Sequence, residues 1–285
     1  MKVSDYTSFA RVIDPRYPTN LAILVIATIC GGCLFIFNFI AGYDIFGAVA
    51  AAFSFAVSVF ITWAIGREID PEHELAAFAG LVLVIPGFLF LGTPDLVMAL
   101  TMLLLLRMLN RSTGLHPKPL DSLSIIALGS LLIMRGVWIF GFLCAAGLLI
   151  DSMLSELMRR NLMFSGVMTA ITILSLFIIK PALPQITIIP GELILVIGST
   201  ILFIPLVKHS KNVDVICDYQ PEKLNPVRLQ TSQVFAISTA GIVWLAEGSM
   251  GIMNLFPLWS GIIGVSLLFL ISTLINTVRR NPGNT

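Results

Sequence analysis

The sequence predicts an all-α integral membrane protein, a bundle of about ten transmembrane helices with both termini in the cytoplasm. Hydrophobic residues make up 57% of the 285 residues and charged residues only 12%, whereas a soluble domain carries about 25% charged residues. Apolar runs recur along the whole chain, and a run of about 20 residues crosses about 30 Å of hydrocarbon. We therefore expect residues 1–285 to form a single polytopic membrane domain.

Turn and charge signals divide the apolar runs into ten predicted spans. The spans cover residues 20–41, 46–66, 75–92, 94–109, 120–134, 136–151, 163–180, 191–207, 233–254 and 257–278. Residues 1–19 mix aromatic and basic side chains, which is typical of a segment at the membrane interface. Residues 208–232 form the longest hydrophilic segment, and we expect them to be the longest cytoplasmic loop.

The stretch from Leu120 to Ile150 fits either one long helix or a hairpin folded at Arg135 and Gly136. Basic residues decide between these, because they accumulate on the cytoplasmic side. With ten spans, 15 of the 17 basic residues are cytoplasmic and only Arg135 and Lys180 are outside. A single helix would divide the others evenly and leave Arg135 in the bilayer, where a charge costs several kcal/mol. The distribution favours the hairpin and a multi-pass protein of the cell inner membrane.

The densest polar cluster joins the second and third predicted spans. It contains Arg67, Glu68, Asp70, Glu72, His73 and Glu74. Carboxylates with a histidine can bind a hard cation such as Mg²⁺ or act as acid and base groups. The alternative is that Asp70 caps the third span, with Pro71 in its first turn and the two glutamates favourable to the helix dipole.

A second polar loop, residues 107–121, is basic and contains a glycine turn. Guanidinium groups, amines and free backbone amides bind phosphate, so we interpret four residues as candidate phosphate ligands. These are Arg67, Arg107, Arg111 and Lys118. The alternative is that Asn110 and Gly114 end the fourth span, Asp121 caps the fifth, and the basic residues contact anionic head groups.

Glu247 lies within the ninth predicted span, about two-thirds of the way toward the outer face. A carboxylate inside the membrane is costly and indicates a proton or cation site. The alternative is a buried pair or a hydrogen bond to a neighbouring helix.

These observations favour a protein that binds or processes a phosphorylated lipid or polyprenyl substrate at the cytoplasmic interface, with the lipid bilayer and an anionic lipid or lipid phosphate as partners. The alternatives are a secondary transporter coupled through Glu247, or a non-catalytic subunit with membrane-protein partners. The net charge of +1 argues against a nucleic-acid partner. No motif in the sequence identifies a cofactor, a metal or an enzymatic activity, so these stay open.

Overall fold

The computed structural model describes residues 5–11, 13–154, 157–180 and 188–280. Residues 1–4 and 12 of the predicted interfacial segment therefore lie outside the described residues. The described residues form helices and loops, with one isolated bridge between Ile216 and Lys223. The predicted all-α fold class is confirmed at this level.

Twelve α-helices follow one another along the described part of the chain. They are α1 (Pro18–Ile40), α2 (Ile45–Ile69), α3 (Ala76–Ala79), α4 (Leu81–Leu91), α5 (Leu96–Asn110), α6 (Pro119–Met134), α7 (Ile139–Met153), α8 (Arg159–Ile179), α9 (Pro190–His209), α10 (Pro226–Glu247), α11 (Ser249–Asn254) and α12 (Phe256–Arg280). Within the described residues, α1, α2, α8, α9, α10 and α12 are long and apolar enough to cross a membrane. The chain is a helical, multi-pass membrane protein.

Four shorter apolar segments complete the bundle: α3 with α4, then α5, α6 and α7. Helices α5, α6 and α7 have 15, 16 and 15 residues, so each is about 22–24 Å long, less than the roughly 30 Å of bilayer hydrocarbon. Helix α5 packs against α2, α6, α7 and α10. Ten of its 15 residues are buried, so this short helix lies in the centre of the bundle.

The segment from Leu120 to Ile150 forms two helices, α6 and α7, which confirms the predicted hairpin. Arg135 ends α6, and Gly136 follows with a φ of 93°, a conformation that glycine adopts without strain. One guanidinium nitrogen of Arg135 lies 2.7 Å from a carboxylate oxygen of Asp95, the cap of α5. This ion pair joins two connections at the same end of the bundle.

The helix termini collect at two ends of the bundle. At one end, side chains near the C-termini of α2, α5 and α7 bond to each other and to the N-termini of α8 and α10. We call this the capped end. The opposite end contains the Arg135–Asp95 pair and a hydrogen bond of 2.8 Å from Trp244 of α10 to Glu192 of α9.

The ninth predicted span, 233–254, is displaced along the chain. Helix α10 begins earlier because Asn225 accepts hydrogen bonds from the backbone N–H groups of Val227 and Arg228, and Pro226 suits the first turn. It ends at Glu247, where Gly248 has a φ of 60°. The predicted loop 208–232 is accordingly shorter, since helices α9 and α10 enclose only residues 210–225.

The predicted capping role of Asp70 is wrong. Asp70 accepts a hydrogen bond of 3.3 Å from the backbone N–H of His73, so it closes a turn after α2. Helix α3 begins only at Ala76.

Helix α12 lies very close to the junction of α3 and α4. A Cβ atom placed on Gly264 would lie 2.4 Å from the backbone nitrogen of Gly80. Lipid chains are as apolar as the helices, so the hydrophobic effect does not drive membrane helices together. Close contact between small residues supplies van der Waals attraction instead. Gly264 therefore sets the distance between α12 and the segment formed by α3 and α4, which we call the broken segment.

We expect Gly264→Ala to destabilise the protein by about 1–3 kcal/mol, because the added methyl group has no space and the backbone must move. The control is Gly198→Ala in α9, where nothing lies within 4 Å of the added Cβ. Heating in detergent followed by size-exclusion chromatography measures the loss of folded protein. Equal midpoints for the two variants would contradict the packing described here.

Candidate functional site

Three polar segments cover the capped end: residues 5–11, the loop 111–118 and the segment 210–225. We call them together the polar cap. The backbone N–H groups of Asp218 and Tyr219 donate to the carbonyl oxygens of Ser112 and Thr113 at 3.2 and 3.1 Å. Tyr219 also donates its hydroxyl proton to the carbonyl of Ala10 at 3.0 Å. The N-terminal segment is thus bonded into the cap.

Asp121, the third residue of α6, anchors the N-terminal segment. Its carboxylate accepts from the Thr7 hydroxyl, from the Ser8 backbone N–H at 2.9 Å, and from the Ser8 hydroxyl at 2.7 Å. It also accepts from the backbone N–H of Lys118 at 2.7 Å. This last bond matches the predicted capping role of Asp121 at the start of the helix.

Glu68, in the last turn of α2, is fully buried beneath the cap. Its Oε1 atom accepts from Arg107 Nε at 2.9 Å and from Arg11 at 3.2 Å. Its Oε2 atom accepts from the Asn110 amide and the Ser112 hydroxyl, each at 2.8 Å. Burying a carboxylate is costly unless it is paired and hydrogen-bonded, and these four donors satisfy both oxygens.

Asp151, in the last turn of α7, is a second buried carboxylate. It accepts from Arg111 at 3.0 Å, from Arg228 at 2.9 Å and from the Asn161 amide at 2.7 Å. The remaining nitrogen of Arg111 lies 2.7 Å from His116 Nδ1. A guanidinium only donates, so this ring nitrogen is the acceptor.

The segment 210–225 has a small apolar core of its own, formed by Val213, Cys217 and Leu224 with Leu229 of α10. Burial raises the pKa of the Cys217 thiol, and the neighbouring carboxylates add to this effect. The thiol therefore stays protonated and serves as a packing group.

The four candidate phosphate ligands separate into three places. Arg111 is bound to Asp151, and Lys118 starts α6 beside Asp121. Arg107 and Arg67 line one shared cavity. Arg107 is held by Glu68, and it also donates to the carbonyl of Phe9 at 3.0 Å.

The candidate cation or acid–base residues also diverge. Asp70 pairs with His73 at 3.0 Å, and Glu72 approaches His209 at 3.7 Å. Glu74 faces Arg67 at 3.6 Å and accepts from Thr19 at 3.4 Å. Among the described residues, no group of three histidine, cysteine or acidic side chains could hold a metal ion. The geometry gives the cation hypothesis no support.

Glu247 is the last residue of α10 and partly exposed. The sequence places Glu247 inside the ninth predicted span, 233–254. In the structure it is at a helix end. The opposite end also contains Glu192, whose carboxylate accepts from Trp244 at 2.8 Å and from the Ser249 hydroxyl.

A cavity of about 380 Å³ opens between the polar cap and helices α1, α2 and α5. Its charged lining consists of Arg11, Arg67, Arg107, Glu74 and Asp218. Of the three arginines in this lining, Arg67 is the most loosely paired, since its closest carboxylate oxygen is 3.6 Å away. Its guanidinium lies 6.0 Å from the ring centre of Trp63, within the range of a cation–π contact.

Arg11 closes the cap side of this cavity. It bridges Glu68 at 3.2 Å and the Asp218 carboxylate. Burial alone would lower the pKa of Arg11, but the attraction of Glu68 and Asp218 raises it above its usual value. Arg11 therefore remains charged at any physiological pH.

The uncharged lining combines the polar residues Thr19 and Asn20 with an aromatic and apolar side. Phe60, Trp63 and Ala64 of α2 form one wall. The Trp63 ring contacts the ring of Phe78 with a centroid distance of 6.3 Å. Phe78 in turn lines an open apolar groove of about 330 Å³ between α1 and the broken segment α3–α4. A polar cavity and an apolar groove are therefore neighbours across two aromatic rings.

The sequence places Glu68 in the densest polar cluster, but Glu68, Asn110, Asp151, Asn161 and Arg228 were not among the predicted site residues. One signal was available: Arg107, Asn110 and Arg111 are three and four residues apart and so share a helix face. Their partners lie about 40 positions away along the chain, and no local pattern identifies them.

Comparison with protein-family models, with curated proteins and with solved structures found no match.

We expect Glu68→Gln to destabilise the protein by about 3 kcal/mol, because Arg11 and Arg107 lose a buried counter-charge and the new amide brings further donors. The control is Glu222→Gln, whose side chain is exposed on the same cap, with an effect of about 0.5 kcal/mol or less. Chemical denaturation in detergent micelles measures the free energy of unfolding of both variants. Similar stabilities would show that the Glu68 cluster does not hold the cap.

Proposed function

We propose that this protein binds a phosphorylated lipid at the capped end, with the phosphate in the cavity and the hydrocarbon chain in the apolar groove. The observation that carries the proposal is the juxtaposition of the two spaces. Arginines line the cavity, and the groove beside it is lined by Ile26, Phe78, Leu81, Val82, Ile85 and Pro86. An amphiphile is the class of ligand that matches a polar space lying next to an apolar one.

Arg67 is the residue best suited to contact the phosphate. Its nearest carboxylate oxygen is 3.6 Å away, whereas Glu68 binds Arg107 at 2.9 Å and Arg11 at 3.2 Å. Guanidinium groups contact phosphate oxygens through two parallel hydrogen bonds. The aromatic wall of Phe60 and Trp63 then covers the first carbons of the lipid chain.

We also propose the membrane arrangement in which this site is cytoplasmic. The ten apolar segments become ten spans, both termini are in the cytoplasm, and the protein lies in the cell inner membrane. Arg67, Arg107 and Arg111 are at the capped end, whereas Arg135 is at the opposite end. Basic residues concentrate on the cytoplasmic side, which supports the capped end as the cytoplasmic one.

Arg67→Gln should weaken phospholipid binding about tenfold, because one charge-assisted contact contributes roughly 1.5 kcal/mol. Native mass spectrometry of the purified protein titrated with dioleoyl phospholipids measures this. Dioleoylglycerol, which lacks the phosphate, should bind weakly and equally to both proteins. The control is Arg159→Gln, an exposed arginine that does not line the cavity. If phospholipids bind no better than dioleoylglycerol, or Arg67→Gln has no effect, the proposed function is wrong.

The membrane arrangement predicts which exposed positions react with an impermeant thiol reagent on intact cells. In a background without native cysteines, Tyr43→Cys and Gly136→Cys should be labelled, and Asn212→Cys only after permeabilisation. All three positions are exposed. Labelling of Asn212→Cys in intact cells, with the other two protected, would reverse the orientation.

A further inference from the structure

The charges around the cavity cancel. Each of its arginines lies within ion-pair distance of a carboxylate: Arg11 and Arg107 beside Glu68, Arg11 also beside Asp218, and Arg67 beside Glu74. Three positive and three negative side chains therefore form a locally neutral site. A ligand with a large net negative charge would leave this partly buried region with uncompensated charge, which is unfavourable.

The neutral balance discriminates among phosphorylated lipids. A phosphate monoester, such as a polyprenyl phosphate, carries roughly 1.5 to 2 negative charges at neutral pH. A diester with an uncharged head group carries one. A diester whose head group also bears an ammonium is neutral overall, and it alone preserves the balance.

The arrangement of charges also matches such a head group. Arg67 and Glu74 are neighbours at 3.6 Å, and Glu74 is 58% exposed, so both groups can turn toward a ligand. In an ethanolamine phosphodiester only two carbons separate the phosphate oxygen from the nitrogen. A head group placed between Arg67 and Glu74 would bring its phosphate to the guanidinium and its ammonium to the carboxylate.

On this basis we propose, given the phospholipid site proposed above, that its ligand is a zwitterionic phospholipid with a primary ammonium group, of the phosphatidylethanolamine class. Arg67 binds the phosphate, and Glu74 accepts hydrogen bonds from the ammonium. The primary amine is specified because a carboxylate gains hydrogen bonds from N–H groups, which a trimethylated ammonium lacks. Tyr17 lines the same cavity, and the face of a tyrosine ring attracts a cation.

The test compares dioleoyl phosphatidylethanolamine, phosphatidylcholine and phosphatidylglycerol, each titrated into the full-length protein and measured by native mass spectrometry. The wild-type protein should bind phosphatidylethanolamine at least threefold more tightly than either of the others. Glu74→Gln should weaken phosphatidylethanolamine binding about fivefold and leave phosphatidylglycerol binding unchanged or stronger, which removes the preference.

The matched control is Glu72→Gln. Glu72 is in the same turn, but it faces His209 and does not line the cavity, so this variant should keep the wild-type preference. Equal or tighter binding of phosphatidylglycerol by the wild-type protein overturns the inference, and so does an equal loss for all lipids in Glu74→Gln. Both outcomes leave phospholipid binding itself intact. Failure of the phospholipid site is recognised separately, by the absence of any effect of Arg67→Gln.

Discussion

The pairing of Glu68 with four donors is the interaction on which the capped end depends. Its carboxylate joins α2 to α5 through Arg107 and Asn110, and to the N-terminal segment through Arg11. Each helix brings a polar group that would be costly to bury alone. The cluster therefore couples the positions of α2, α5 and the N-terminal segment. The polar cap can form only when the helices beneath it are packed.

The same pairing prepares the cavity. Arg107 and Arg11 are fixed by their carboxylate partners, so the cavity wall is already ordered, and this order would reduce the entropic cost of binding the phospholipid proposed above. Arg67 and Glu74 are only loosely paired and remain adjustable. A wall of paired arginines beside two loosely paired charged side chains fits the small polar head group proposed above.

Asp151 repeats this arrangement with Arg111 and Arg228. The two clusters are linked because Arg107 is in the last turn of α5 and Arg111 is the residue that ends this helix. Since α5 is the most enclosed of the short helices, it transmits the constraint from the cap into the middle of the bundle. Removing either carboxylate therefore affects more than its own immediate neighbours.

The sequence predicts the apolar segments well because length and hydropathy reflect the cost of burying polar backbone in lipid. The break at Arg135 and Gly136 also follows from composition. The start of α10 does not follow from composition. Arg228, Ser232 and Gln233 are buried polar residues on this helix, and hydropathy assigns such residues to a loop.

The site was only partly predictable for a related reason. Arg67, Arg107 and Glu74 are recognisable as polar residues at span ends, and the structure places all three at one cavity. Which carboxylate neutralises which arginine depends on the packing of helices about 40 residues apart. This pairing leaves Arg67 loosely held by Glu74 at 3.6 Å, whereas Asp151 binds Arg111 at 3.0 Å.

The hairpin of α6 and α7 has a further consequence for the surrounding lipid. Its outer face exposes Leu123 and Leu131, and with 16 and 15 residues its helices are about 22–24 Å long. In the membrane arrangement proposed above, a bilayer of about 30 Å has to thin by roughly 6 Å to cover this face without burying the polar helix ends. Helices α1, α2 and α12, with 23, 25 and 25 residues, impose no such thinning. In that arrangement the α6–α7 face favours a thinner bilayer than the faces formed by α1, α2 and α12 do.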